Sequence, residues 1–312
     1  MPQHKTDPAM QSVDAIHVNF SPHQLAFLNV CLAFLMFSVA LDIKVSDFKQ
    51  VFLNPKAVAI GLFSQWVVLP LLTISIIWLW PMPVSMALGM VLVAACPGGN
   101  VSNFAVYLSR GNSALSVTLT SISTLGAIIF TPLSFMLFAA LVPQSEALRQ
   151  SVYVEPVQML DTIVVLIVLP LSLGMIVYER FPIFAEAIKR PAKMISMAIF
   201  LGFVVVAFYK NYENFTQYIG RVFFIVLIQN GLAIFLGYQL ARLGKLPEAD
   251  RRAVAIETGI QNSGLGLILI FNFFGGLGGM ALVAAWWGIW HLVSGFSLAY
   301  WWGNRPADRS VA

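Results

Sequence analysis

Apolar residues run through this chain in long unbroken stretches, separated by short clusters of Pro, Gly and charged residues. The stretches cover about 24 to 43, 56 to 80, 84 to 109, 113 to 142, 152 to 178, 192 to 209, 219 to 243, 249 to 274 and 278 to 303. Most reach or exceed the roughly 20 residues that an α-helix needs to cross the ~30 Å hydrocarbon layer, and they read as Leu/Ile/Val/Phe helices rather than alternating barrel strands. The pattern predicts an all-α polytopic membrane protein with nine transmembrane helices. A polar segment over 1–23 precedes a single transmembrane domain over 24–303, and a cytoplasmic tail over 304–312 follows it.

Two stretches are interrupted from within. In "ACPGGNVSN", residues 95 to 103, Pro97 cannot donate a backbone hydrogen bond, and Gly98 and Gly99 weaken the helix further. The third segment therefore divides near 84 to 96 and 101 to 109. In "IETGIQNSGLG", residues 256 to 266, an acid, a glycine and a Gln-Asn-Ser triplet interrupt the eighth. Unwound backbone at membrane depth must face protein, ions or water. Two broken helices at matched places point to a secondary transporter built from inverted repeats, here about 24–142 and 152–303. Freed amides at such breaks can hold an anion, and freed carbonyls a cation.

Composition agrees with the pattern. The chain is 59% hydrophobic and 10% charged, against about 25% charged for soluble domains. Cys31 and Cys96 both lie in apolar segments and read as small core residues, not as a disulfide or metal framework. The net charge of +4 comes from basic residues scattered over the connections, which argues against nucleic acid. Their placement sets orientation instead. With the N-terminus outside and the C-terminus cytoplasmic, 14 of the 18 Lys and Arg lie inside, leaving Lys5, Arg149, Lys210 and Arg221 outside. No stretch of signal-peptide length is expected in residues 1 to 23. Trp78, Trp80, Trp301 and Trp302 fit an aromatic belt.

Glu257 is the most informative residue. An acid near the bilayer centre costs at least ~2.5 kcal/mol on insertion scales, and intramembrane acids read as functional. No Lys or Arg lies between Ala253 and His291 to pair with it, whereas Gln261 and Asn262 beside it supply neutral oxygens. A hard monovalent cation such as Na⁺ would satisfy it; a protonated, hydrogen-bonded Glu and a proton-coupled carrier are the alternatives. Ser116 and Thr120, spaced i, i+4, share a helix face, but such residues often bond to their own preceding turn. Gln65 reads alone as packing glue between helices, and His291 as an interior histidine. Asp161 reads as an interfacial acid near Glu155. There is no HExxH, GxSxG or CxxC, so no enzyme is expected.

Four stretches in order, "ACPGGNVSN", "SRGNSALSVTLTSISTL" (109 to 125), "ETGIQNSGL" and "IWHLVSG", resemble the bile acid:sodium symporter family over nearly the whole chain. The resemblance implies panel and core domains, two broken helices crossing near the midplane, and two sodium ions beside them. Position by position, the first sodium site would comprise the side chains of Ser102, Asn103, Ser116, Thr120 and Glu257. The second would use Gln65, Glu257 and Gln261 with the backbone carbonyls of Thr258 and Ile260. Substrate contacts would map to Asn100, Asn262 and His291. Asn100 stands where bacterial members have Thr, and the first of their ten helices is not expected here, leaving four helices in the first repeat and five in the second. The implied activity is sodium-coupled import of an organic anion, a bile acid or small carboxylate, across the plasma membrane. A proton-coupled carrier and a non-transporting anion sensor are the rivals.

Overall fold

The computed structural model describes residues 14, 22–41, 49–143, 164–210 and 212–305. The elements run α1 (Pro22–Ala40), α2 (Lys49–Leu53), α3 (Pro55–Phe63), a wide turn (Ser64–Val68), α4 (Leu69–Leu79), α5 (Val84–Ala95), α6 (Val101–Leu108) and α7 (Ser113–Ala139). There follow a second wide turn (Val164–Val168), α8 (Leu169–Arg180), α9 (Pro182–Lys210), α10 (Tyr212–Leu243), α11 (Glu248–Gly259), α12 (Ser263–Phe273) and α13 (Gly278–Gly303). Among the described residues no strand forms; one isolated antiparallel bridge joins Gly98 and Gln261.

Local chemistry explains the boundaries. Pro55 opens α3, and Pro70 stands near the start of α4. Pro70 has no N–H to return to the preceding turn, and the helix widens over Ser64–Val68 just before it. Glu248 and Asp250 place carboxylates in the first turn of α11, where the helix dipole favours them. Gly275 and Gly276 take φ of 55° and 66° to reverse the chain between α12 and α13, a conformation that L side chains resist. α9 and α10 begin earlier than the apolar stretches at 192 and 219. Hydropathy marks where a helix meets lipid, and no helix breaker ends it at that boundary; Pro191 sits inside α9.

Among the described residues, four helical stretches are long and apolar enough to cross a membrane: Pro55–Leu79, Ser113–Ala139, Val222–Leu243 and Gly278–Gly303. Val84–Ala95 and Ser263–Phe273 are shorter apolar helices, as the two interruptions require. Large apolar side chains including Trp78, Ile129, Leu137, Ile176 and Val293 remain exposed on the outside of the bundle. In water that surface would be costly; against lipid it is the expected exterior of a multi-pass membrane protein. The first part of the fifth predicted segment, with Glu155 and Asp161, lies outside the described residues.

α1 packs on α8 and α9, while α5, α6, α10, α11 and α12 gather around α13 and α7. The buried apolar residues form two large clusters. One surrounds Met86, Met90, Leu265 and Trp287; the other surrounds Leu115, Leu119, Val254 and Ile256. A layer of buried polar side chains lies where the helix breaks meet, including Gln65, Ser102, Ser116, Thr120, Glu257 and Gln261.

A candidate cation site where two broken helices cross

The frame of the site is main chain. Asn262 N–H donates to Pro97 O at 2.8 Å and Gly99 N–H to Ile260 O at 3.0 Å, so each interruption satisfies part of the other. Both second halves begin at an asparagine: the Asn262 side chain accepts from Leu265 N–H at 3.0 Å, whereas Asn100 makes no such cap. Gly98 is needed here, because a Cβ at this position would come within 2.9 Å of Glu257 Oε2.

Glu257 is fully buried near the end of α11. Ser102 Oγ and Ser116 Oγ each donate to its Oε1 at 2.5 Å, and Thr120 Oγ1 lies 3.0 Å from both carboxylate oxygens. Asn103 Oδ1 faces the same hydroxyls, 2.8 Å from Ser116 Oγ and 3.2 Å from Thr120 Oγ1, and the hydroxyls of Ser102 and Thr120 are 3.4 Å apart. That makes seven close oxygen contacts, yet three hydroxyls bring only three protons. Among the described residues no basic side chain forms an ion pair with Glu257. A proton-poor cluster of oxygens around one buried carboxylate fits a hard cation. The donors are hydroxyl, amide and carboxylate oxygens with a single formal charge among them, a set suited to a hard ion of low charge.

On the other side of the carboxylate, Gln65 Nε2 lies 3.4 Å from Oε2. Gln65 sits in the wide turn ahead of Pro70, which ties its placement to the backbone widening. Gln261 Nε2 donates to Thr258 O at 3.0 Å. The amide oxygens of Gln65 and Gln261 are both buried without a partner among the described residues, an arrangement that a cation would relieve. Thr258 offers its main chain only, since its hydroxyl pairs with Ser64 at 2.8 Å and donates to Val254 O at 2.7 Å. All five side chains of the first constellation thus meet, and the side chains of the second flank Glu257.

The expected substrate contacts are less closely joined. Asn100 and Asn262 are half-buried at the crossing. His291 is buried on α13, its Nδ1 lacking a partner among the described residues. Sequence reasoning missed the polar residues that support the site. Ser123 Oγ accepts from Gly98 N–H at 3.2 Å, and Asn230 joins Gly259 O to Ser294. Adjacent amides at Gln229 and Asn230 inside an apolar run were the available signal.

A crossing of two broken helices around a buried carboxylate and its oxygen donors defines a membrane transporter of the cation-coupled kind. The Sodium Bile acid symporter family model matches residues 29–218, and the chain belongs to that family. Relatives extend the match over most of the chain. It is 32% identical over 286 residues, 92% of this chain and 86% of the relative, to the uncharacterized sodium-dependent transporter YocS of Bacillus subtilis. It is 32% identical to the probable chloroplastic sodium/metabolite cotransporter BASS2 of Oryza sativa subsp. japonica, covering 89% of this chain and 65% of that one. It is 27% identical to the human P3 protein, covering 84% of this chain and 54% of that one. The family is one of sodium-coupled transporters, not enzymes.

Proposed function

We propose that this protein imports an organic anion together with Na⁺, by alternating exposure of the crossing to the two sides of the membrane. The observation that carries the reading is the surplus of oxygens over protons around Glu257. One ion would lie among Ser102, Asn103, Ser116, Thr120 and Glu257. A second would lie among Gln65, Glu257, Gln261 and the carbonyls of Thr258 and Ile260. Bound sodium balances the carboxylate and draws the two interruptions together. Amide and imidazole groups at Asn100, Asn262 and His291 then face the anion, a bile acid or a smaller carboxylate. Nine spans in two inverted repeats, with the N-terminus outside, complete the reading; the relatives described as sodium/metabolite cotransporters support its chemistry.

Uptake into proteoliposomes decides it. An inward sodium gradient is expected to drive accumulation of a labelled organic acid, with taurocholate and pantoate as the first probes. Choline in place of sodium, or Glu257→Gln with sodium present, should abolish it. Accumulation driven by a pH gradient alone would make the protein a proton-coupled carrier, and sodium-dependent binding without flux would make it a sensor.

A further inference from the structure

α10 carries two adjacent amides, Gln229 and Asn230, both fully buried. Gln229 ties helix to helix, its Nε2 donating to Thr73 Oγ1 at 2.7 Å. Asn230 acts on the break itself. Its Nδ2 donates to Gly259 O at 2.7 Å, and its Oδ1 accepts from Ser294 Oγ at 2.6 Å. In a continuous helix Gly259 O would receive the N–H of residue 263. Here Ser263 N–H turns to Gln261 O at 2.9 Å, and the Asn230 amide stands in for the lost helical donor.

Close packing reinforces this bond. A Cβ on Gly259 would run into Ile234 of α10, and one on Gly295 of α13 would lie 2.7 Å from Ile260 Cδ1. The peptide between residues 259 and 260 is therefore gripped by two helices, and one side chain reaches both. Its direction constrains the planes on either side, which carry the carbonyls of Thr258 and Ile260. Ser294 lies one turn beyond His291, so the same amide links the interruption to the helix that bears the histidine.

We propose that Asn230 is a positioning residue for the second cation. By holding the freed carbonyl of Gly259 it fixes the aim of the neighbouring carbonyls of Thr258 and Ile260, and through Ser294 it anchors that geometry to α13. The proposal rests on the sodium-coupled reading above.

The test is sodium-dependent thermal stabilisation of the purified full chain, with NaCl exchanged for choline chloride at constant ionic strength. Asn230→Ala should raise the sodium midpoint about tenfold, as expected for the loss of one buried hydrogen bond at the site. Ser294→Ala, which keeps the bond to Gly259 but frees the amide's other end, should raise it about threefold. Gln229→Ala should lower the melting temperature in choline and leave the midpoint in place. A folded Asn230→Ala protein with the wild-type midpoint overturns the proposal, even if it melts earlier, because that is the signature of a purely structural role. If Asn230→Ala fails to give monodisperse protein, an unchanged midpoint in Ser294→Ala overturns it instead. A wild-type protein that sodium stabilises no more than choline removes the cotransport reading itself, and this proposal with it; that outcome is visible before any substitution is made.

Discussion

Glu257 can stay in the interior only because the groups around it share its charge. Three hydroxyls meet at it, and Gly98 leaves room beside its Oε2. Gly98 therefore tests the site without replacing a proposed ligand. A methyl group there must move the carboxylate or the bridge beside it, because it would come within 2.9 Å of Oε2. Overpacking of about 1–3 kcal/mol corresponds to a loss of sodium affinity of roughly fivefold to 150-fold in Gly98→Ala, read from the midpoint of sodium stabilisation. At this scale the sequence was most informative where chemistry is rare. An acid without a basic neighbour and a Pro-Gly-Gly inside an apolar run stand out, whereas Ser116, Thr120 and Gln65 look ordinary until the fold assembles them. Asn230 and Ser294 were missed because a buried amide carries no mark of whether it ties helices together or holds a break.

At the scale of elements, the first turn of α11 fastens one end of the bundle. Asp250 accepts from Asn112 Nδ2 at 2.7 Å and Asn54 Nδ2 at 3.1 Å, side chains that stand at the N-termini of α7 and α3. Two residues on, Arg252 Nη1 donates to Ser109 O at 2.7 Å and Trp302 O at 3.1 Å, carbonyls at the C-terminal ends of α6 and α13. The acid thus meets positive helix ends and the base negative ones. Arg252→Ala leaves two buried carbonyls and Glu248 without this donor, and is expected to cost about 3 kcal/mol, measurable as a lower melting temperature in sodium and choline alike. Helix limits were legible to within a residue or so at α5 and α6, where Pro-Gly-Gly punctuates, and at the outer ends of α11 and α12, whereas the interruption expected over 256–266 narrows to residues 260–262. They were less so at α9 and α10, where a charged turn simply continues the helix beyond the lipid-facing stretch.

For the whole molecule, the proposed alternating exposure puts the motion at the contact between the α1, α8 and α9 group and the remainder. α1 meets α12 there, and Asn29 and Asn272 form a reciprocal amide pair, with Nδ2 to Oδ1 distances of 3.1 and 2.8 Å. Replacing both with cysteine, in a background where Cys31 and Cys96 are alanine, allows a short bis-methanethiosulfonate, which joins the two thiols through disulfides, to hold the two groups together. Sodium-driven uptake should stop on cross-linking and return on reduction; undiminished flux would show that this contact stays closed throughout the cycle. None of this pairing could be read from the sequence, because residues separated by 243 positions reveal their partnership only in three dimensions.

The junction of the two interruptions is built from peptide groups: Asn262 N–H to Pro97 O and Gly99 N–H to Ile260 O. Such a joint is indifferent to most side chains that project from it. The side chain of Asn100, which makes no cap hydrogen bond, can therefore be exchanged without removing either of these two bonds. On the proposed reading, a scaffold joined in this way changes its cargo and keeps its fuel.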